Sequence, residues 1–304
     1  MITNPAIISG TDMLLHGGNR DALAHIGWMW AWEPSIFVGC ALLLLGYTWV
    51  QGFRLTGRWP FFTLGVLVLL FALVSPLHVL GERYLFSAHM IQHLLLVLAV
   101  PPLLLHGTPA WLFRRVLANP WASRVERVLG SPVVAWALFT VNMWAWHVPA
   151  LFNATLQNHN VHILEHLLFL VTGTIFWWPV LHPLSERRQL PLPGVVFYMF
   201  LAAAASSVLG IVLTFAPPGL YPAYVHPDDT YGILAEIRGW GLWPAVDQQL
   251  AGMVMWVPGC VAYVVAALVA LGRWFALPDE SEAGPEREAQ PVQATAISVR
   301  TEEG

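Results

Sequence analysis

Lysine is absent from the sequence, and all 14 basic residues are arginine. Charged side chains make up only 11% of the chain, with a net charge of −4, against about 25% charged in an ordinary soluble domain. This balance offers no basic surface for nucleic acid, and it excludes a soluble globular enzyme. Cysteine is nearly absent too. Cys40 and Cys260 stand far apart in apolar runs, so neither a disulfide framework nor a CxxC metal clamp is encoded. No Ser-His-Asp order, Gly-rich phosphate loop or dinucleotide fingerprint occurs, and the expectation is a protein without catalysis. The N-terminus lacks the charged n-region and apolar h-region of a cleaved signal peptide.

What the sequence has instead is apolar length. Hydrophobic residues form 57% of the 304, and a window of about 19 residues finds seven candidate spans: 34–51, 61–80, 87–106, 132–149, 161–181, 194–216 and 247–272. The expected fold is all-α, a polytopic seven-transmembrane-helix bundle in the lipid bilayer of the cell (inner) membrane. Residues 1–33 form an extracytoplasmic segment, 34–272 the membrane domain with a long outer loop at 217–246, and 273–304 a disordered cytoplasmic tail rich in Glu, Ala and Gln.

Orientation follows from arginine. Arg54, Arg58, Arg114, Arg115, Arg124, Arg127, Arg187, Arg188 and Arg273 fall on one side, and Arg20, Arg83 and Arg238 on the other. Nine against three places the N-terminus outside and the C-terminus inside under the positive-inside rule. Trp28, Trp30, Trp32, Trp144 and Trp146 fit an outer aromatic belt, and Trp59, Trp111, Trp177, Trp178 and Trp274 an inner one.

Histidine is the ordered polar feature. On this topology His16, His25, His78, His89, His93, His147, His159, His162, His166 and His226 fall at or near the outer face, and only His106 and His182 at the inner one. Spans two–three and four–five read as a weak repeat: each hairpin carries a His on the way out (His78, His147) and an HxxxH on the way back (His89/His93, His162/His166). Residues four apart share a helix face, so six imidazoles can converge at one depth. Asp247 opens span seven at that level, and Met255 lies on its face eight residues on, with Met253 nearby. Imidazole and thioether together suit Cu(I). Three alternatives remain open: interhelical hydrogen bonding by the histidines, zinc hydrolysis through the HxxEH of His162–His166, and a b-type haem between His93 and His166. Gln92, at the place of Glu165 in the parallel segment, speaks for polarity rather than a general base. The loop 217–246 could anchor at the interface, cover the histidines or dock a partner; anchoring is the simplest expectation.

The run His89-Met90-Ile91-Gln92-His93, with Pro101-Pro102 and Gly107-Thr108-Pro109, the Trp146-His147 pair with Pro149, His162 to His166, and Asp247 to Gly252, Met255 and Trp256 together resemble the seven-span CtaG-type assembly factors of cytochrome c oxidase. The likeness covers roughly residues 30–275. A single-span copper chaperone sharing that name carries a Cys pair that this chain lacks. The resemblance implies an integral membrane factor needed for active haem-copper oxidase, helping copper reach the oxidase large subunit on the outer side, with periplasmic copper chaperones as further partners. The positions that match the family's motifs are His89, His93, His147, His162, His166 and Asp247; the spacing argument adds His78 and Met255 as metal candidates.

Overall fold

The computed structural model describes residues 29–52, 57–184 and 190–276. His16, His25, Arg20, Arg54, Arg187, Arg188 and nearly all of the predicted tail lie outside them. Among the described residues the chain is all-helical: α1 (Pro34–Val50), α2 (Trp59–Val74), α3 (Pro76–Arg83), α4 (Phe86–Leu94), a π-helical turn (Leu95–Ala99), α5 (Val100–Gly107), α6 (Ala110–Leu117), α7 (Pro120–Leu129), α8 (Pro132–Trp146), α9 (Pro149–Gln157), α10 (His159–Leu181), α11 (Leu192–Phe215), α12 (Pro222–Val225), α13 (Leu234–Gly239) and α14 (Pro244–Phe275).

Four helical stretches are long and apolar enough to cross a membrane: Phe86–Gly107, His159–Leu181, Leu192–Phe215 and Pro244–Phe275. Two bent pairs, α2 with α3 (42°) and α7 with α8 (68°), raise the number to six if each is one span. α1 is apolar but only 17 residues long. Helix α14 runs through Arg273 to Phe275, so the predicted tail begins in helix.

Proline decides where the helices break. Pro76 cannot continue the ladder of α2, so Ser75 ends it and caps α3, its hydroxyl accepting from Leu77 N–H at 3.3 Å. Pro149 opens α9 after α8 ends at Trp146, with no side-chain cap at Val148. The two halves of the sequence repeat therefore share one plan: a long helix, a short Pro-led helix of 8 or 9 residues, then the helix carrying HxxxH. Within the Phe86–Gly107 stretch, Pro101 removes the N–H that Val97 C=O would accept in an α-helix. The chain widens into the π turn there, and Trp177 Nε1–H of α10 donates to Val97 O at 2.8 Å. The freed carbonyl is thus satisfied inside the bundle, as membrane depth demands.

α11 and α14 approach through glycine. A Cβ on Gly210 would lie 2.7 Å from Trp256 Cβ, and one on Gly252 would lie 2.6 Å from Thr214 N. Small residues at a membrane helix interface admit this closeness.

Part of the loop 217–246 packs onto the histidine-bearing end of the bundle. Tyr221, Tyr224, Ile233 and Ile237 are buried, the last two against Val79, Tyr84, Leu85 and Ala88. Tyr84 O–H donates to Asp229 Oδ1 at 3.2 Å, and that oxygen also accepts from the N–H groups of Ile233 and Leu234. Tyr231, Trp240 and Trp243 of the same loop stay exposed.

Candidate metal centre

The six paired histidines meet at one end of the bundle. His89 and His93, one turn apart on α4, bring their Nε2 atoms to 2.9 Å; His162 and His166 on α10 do so at 3.2 Å. The His89 ring lies 5.5 Å from that of His162, and His93 lies 5.5 Å from His166, so the two pairs face each other across the helix boundary. His78 on α3 stacks on His162 at 5.5 Å. His147, ending α8, lies 6.3 Å from His93. All but His78 are nearly excluded from solvent.

Glu165 is the centre of this group, and the sequence reading did not place it there. It is fully buried, 3.7 Å from His89 Nε2 and 3.6 Å from His93 Nε2. Neither of its oxygens has a hydrogen-bond partner among the described residues, and His93 Nδ1 has none either. Ligand atoms of His89, His93, Glu165 and His166 all lie within 4.8 Å of one another. Buried polar atoms are normally paired. Two unpaired carboxylate oxygens facing the Nε2 atoms of His89 and His93 make a donor set that fits a cation, with imidazole and carboxylate as its ligands.

Surrounding groups hold the rings in position. Tyr224 O–H donates to Gly81 O at 2.6 Å and stands 3.4 Å from His89 Nδ1. Burial pushes the Tyr224 phenol well above its ordinary range, so the hydroxyl keeps its proton. That single proton serves Gly81, leaving the tyrosine oxygen to accept from His89 Nδ1–H. His89 then turns its Nε2 lone pair toward Glu165 and His93, the orientation that an outer partner of a metal-binding histidine imposes. Gln92, the counterpart of Glu165 in the repeat, donates its amide to His78 Nδ1 at 3.0 Å. Glu82 lies 3.9 Å from His78 Nε2 and 3.8 Å from His162 Nδ1. It also lines a cavity of about 250 Å³ with Arg83, His226 and Asp228, so this one carboxylate borders both the cavity under the covering loop and the imidazoles of His78 and His162. A second cavity of about 270 Å³, walled by Ile36, Leu69, Leu73, His78, His162 and His166, lies between α1, α2 and α10.

Two candidates have other settings. Met255 is buried and lines a small cavity with Met90, His93, Met143 and His147, whereas Met253 is exposed. Asp247 does not reach the imidazoles. It accepts from Phe86 N–H at 2.7 Å, Ser87 N–H at 3.1 Å and Ser87 O–H at 2.5 Å. It thus caps α4 from another helix, and the layer of Phe86, Tyr221 and Tyr224 beside it stands toward the cluster. Removing such a cap costs about 1 kcal/mol, and leaving its buried donors unpaired costs a further ~1–3 kcal/mol. Asp247→Ala is therefore expected to lower the melting temperature by several degrees, with Asp247→Asn milder because one acceptor oxygen remains. Equal melting of Asp247→Ala and wild type would remove the capping role.

Residues 42–276 match the family described as cytochrome c oxidase caa3 assembly factor (Caa3_CtaG). The chain belongs to this family. As a Caa3_CtaG protein it is similar to uncharacterised proteins of Mycobacterium bovis and Mycobacterium tuberculosis, each 29% identical over 206 residues, covering 60% of this chain and 31% of theirs. A Mycobacterium leprae protein is 24% identical over 267 residues, 80% of this chain and 39% of its own. The chain thus spans about a third of the length of these relatives. No solved structure matches it. The matched region of this Caa3_CtaG chain contains the whole histidine cluster, Glu165 and α14 through Phe275.

Proposed function

We propose that this Caa3_CtaG protein spans the cell membrane seven times with its N-terminus outside, and that its outer-end cluster holds Cu(I) in transit to the large subunit of a haem-copper cytochrome c oxidase. Periplasmic copper chaperones supply the ion. The observation that carries this reading is the buried set of His89, His93, Glu165 and His166, with ligand atoms within 4.8 Å and the carboxylate otherwise unpartnered. The nine-to-three arginine distribution supports the orientation. Oxidase assembly, the role by which the family is described, supplies a reason for a cation site in a chain without catalytic motifs.

The cavity beside Glu82, His226 and Asp228 supports entry from the outer aqueous side. Glu82 then hands the ion inward to His78 and His162. The apolar cavity between α1, α2 and α10 supports lateral exit toward a membrane-embedded partner. Ligands of imidazole and carboxylate exchange readily, which suits transfer better than a thiolate cage would. A b-type haem between His93 and His166 fits less well. The macrocycle would have to pass between rings whose centroids are 5.5 Å apart, with Glu165, His89 and Phe169 packed around them.

The test is oxidase maturation in cells lacking the native copy. Complementation with the wild-type chain restores copper content and activity of the purified oxidase. The His89→Ala, His93→Ala double variant, present at equal level in the membrane, is expected to leave the oxidase copper-deficient. Full copper content with the double variant would instead favour a metal-free scaffold.

A further inference from the structure

His147 and Met90 lie beside the cluster in an arrangement that hydrogen bonding alone does not explain. His147 Nδ1 is 2.6 Å from the carbonyl of Met143. A carbonyl only accepts, so Nδ1 carries the proton, and the neutral ring has its lone pair on Nε2. That Nε2 is 3.3 Å from Met90 Sδ, and a thioether has no proton to give. Two Lewis bases therefore face each other, both nearly excluded from solvent. Met143, Met255 and His93 line the same cavity of about 20 Å³, a volume on the scale of a single small ion or water.

His93 connects this cavity to the cluster. His89 has its proton on Nδ1, held by Tyr224, so in the 2.9 Å contact between the two Nε2 atoms His93 is the donor. The lone pair of His93 is then on Nδ1, the nitrogen with no partner among the described residues. Exchanging the proton between its two nitrogens would offer His93 to either side.

We infer that Met90, His147 and Met255, with Met143 alongside, form a second site selective for Cu(I), to which His93 passes the ion from the His/Glu cluster. The thioethers select a soft monovalent ion, whereas the carboxylate of Glu165 in the cluster also accepts harder divalent ions. Transfer between the sites exchanges ligands without a change in copper oxidation state. This inference rests on the proposed copper-handling function, but its signature is separate: sulfur in the copper shell.

Full-length protein, purified in detergent and loaded anaerobically with Cu(I) under competition from bicinchoninate, is measured by copper K-edge X-ray absorption. The wild type is expected to show sulfur scatterers. Met90→Leu with Met255→Leu, both near-isosteric, is expected to melt like the wild type, lose the sulfur contribution and bind Cu(I) at least tenfold more weakly, with Zn(II) affinity unchanged. Copper bound by nitrogen and oxygen alone in the wild type overturns the second site and leaves the proposed function standing. A variant that keeps sulfur and affinity also overturns it, and absence of copper from the wild type overturns both.

Discussion

Glu165→Leu is expected to make the metal-free protein more stable while removing most of its affinity for copper. The two effects have one cause. Glu165 is buried with both oxygens unpaired, and a carboxylate withdrawn from water without hydrogen bonds is unfavourable in any protonation state. A buried polar group left unsatisfied costs about 1–3 kcal/mol, so removing it with an apolar side chain of similar size is expected to raise the melting temperature by several degrees. For the cation the sign reverses. Loss of an outer partner alone costs about 10–100-fold in metal affinity, and loss of a direct anionic donor is expected to cost no less. Thermal melting of the metal-free protein and Cu(I) competition titration, made on one preparation, check both signs. A variant destabilised in the metal-free state would show that Glu165 is retained for packing, and the assignment of the site would fall with it.

Gly252→Val is expected to prevent accumulation of folded protein. A Cβ at this position meets the Thr214 side chain, lies 2.6 Å from Thr214 N and 2.7 Å from Gly210 O, and two of these three are backbone atoms that cannot rotate away. Overpacking in interiors costs about 1–3 kcal/mol even when side chains can move. Here α11 and α14 must separate along their contact. Separation also displaces Asp247 from the N-terminus of α4 and Met255 from the cavity beside His93, since both stand on α14. Size-exclusion chromatography of the solubilised variant should show aggregate where the wild type gives a single peak; Gly252→Ala, which brings the same Cβ without the γ-methyls, should yield less folded protein with a lower melting temperature. A monodisperse, wild-type-like Gly252→Val would contradict the close packing of these helices.

The histidine cluster was legible in the sequence because its spacing is helical. His89 with His93, and His162 with His166, recur at four residues, and two prolines bring His78 and His147 to the same level. Glu165 was visible in the HxxEH pattern, and a carboxylate at membrane depth is itself a signal; comparison with Gln92 obscured it. The structure shows why that comparison misleads: Gln92 turns outward to His78, whereas Glu165 faces the centre. Asp247 was placed at the right depth but on the wrong partner, because sequence gives no sign of which helix N-terminus a distant carboxylate will cap. Met90 adjoins His89 in sequence and points to His147 instead, a contact set by the phase of α4 against α8. Tyr221 and Tyr224 are buried by the fold of the covering loop, a packing that no local sequence pattern signals.

The most direct test of the central claim is copper content. Full-length wild-type protein, purified without chelator and loaded with Cu(I), is washed and measured by mass spectrometry of the metal, beside the His89→Ala, His93→Ala double variant. Retention of copper near one ion per chain or above by the wild type, with loss of most of it by the variant, is the predicted result. Negligible copper in both, or equal copper in both, would contradict it.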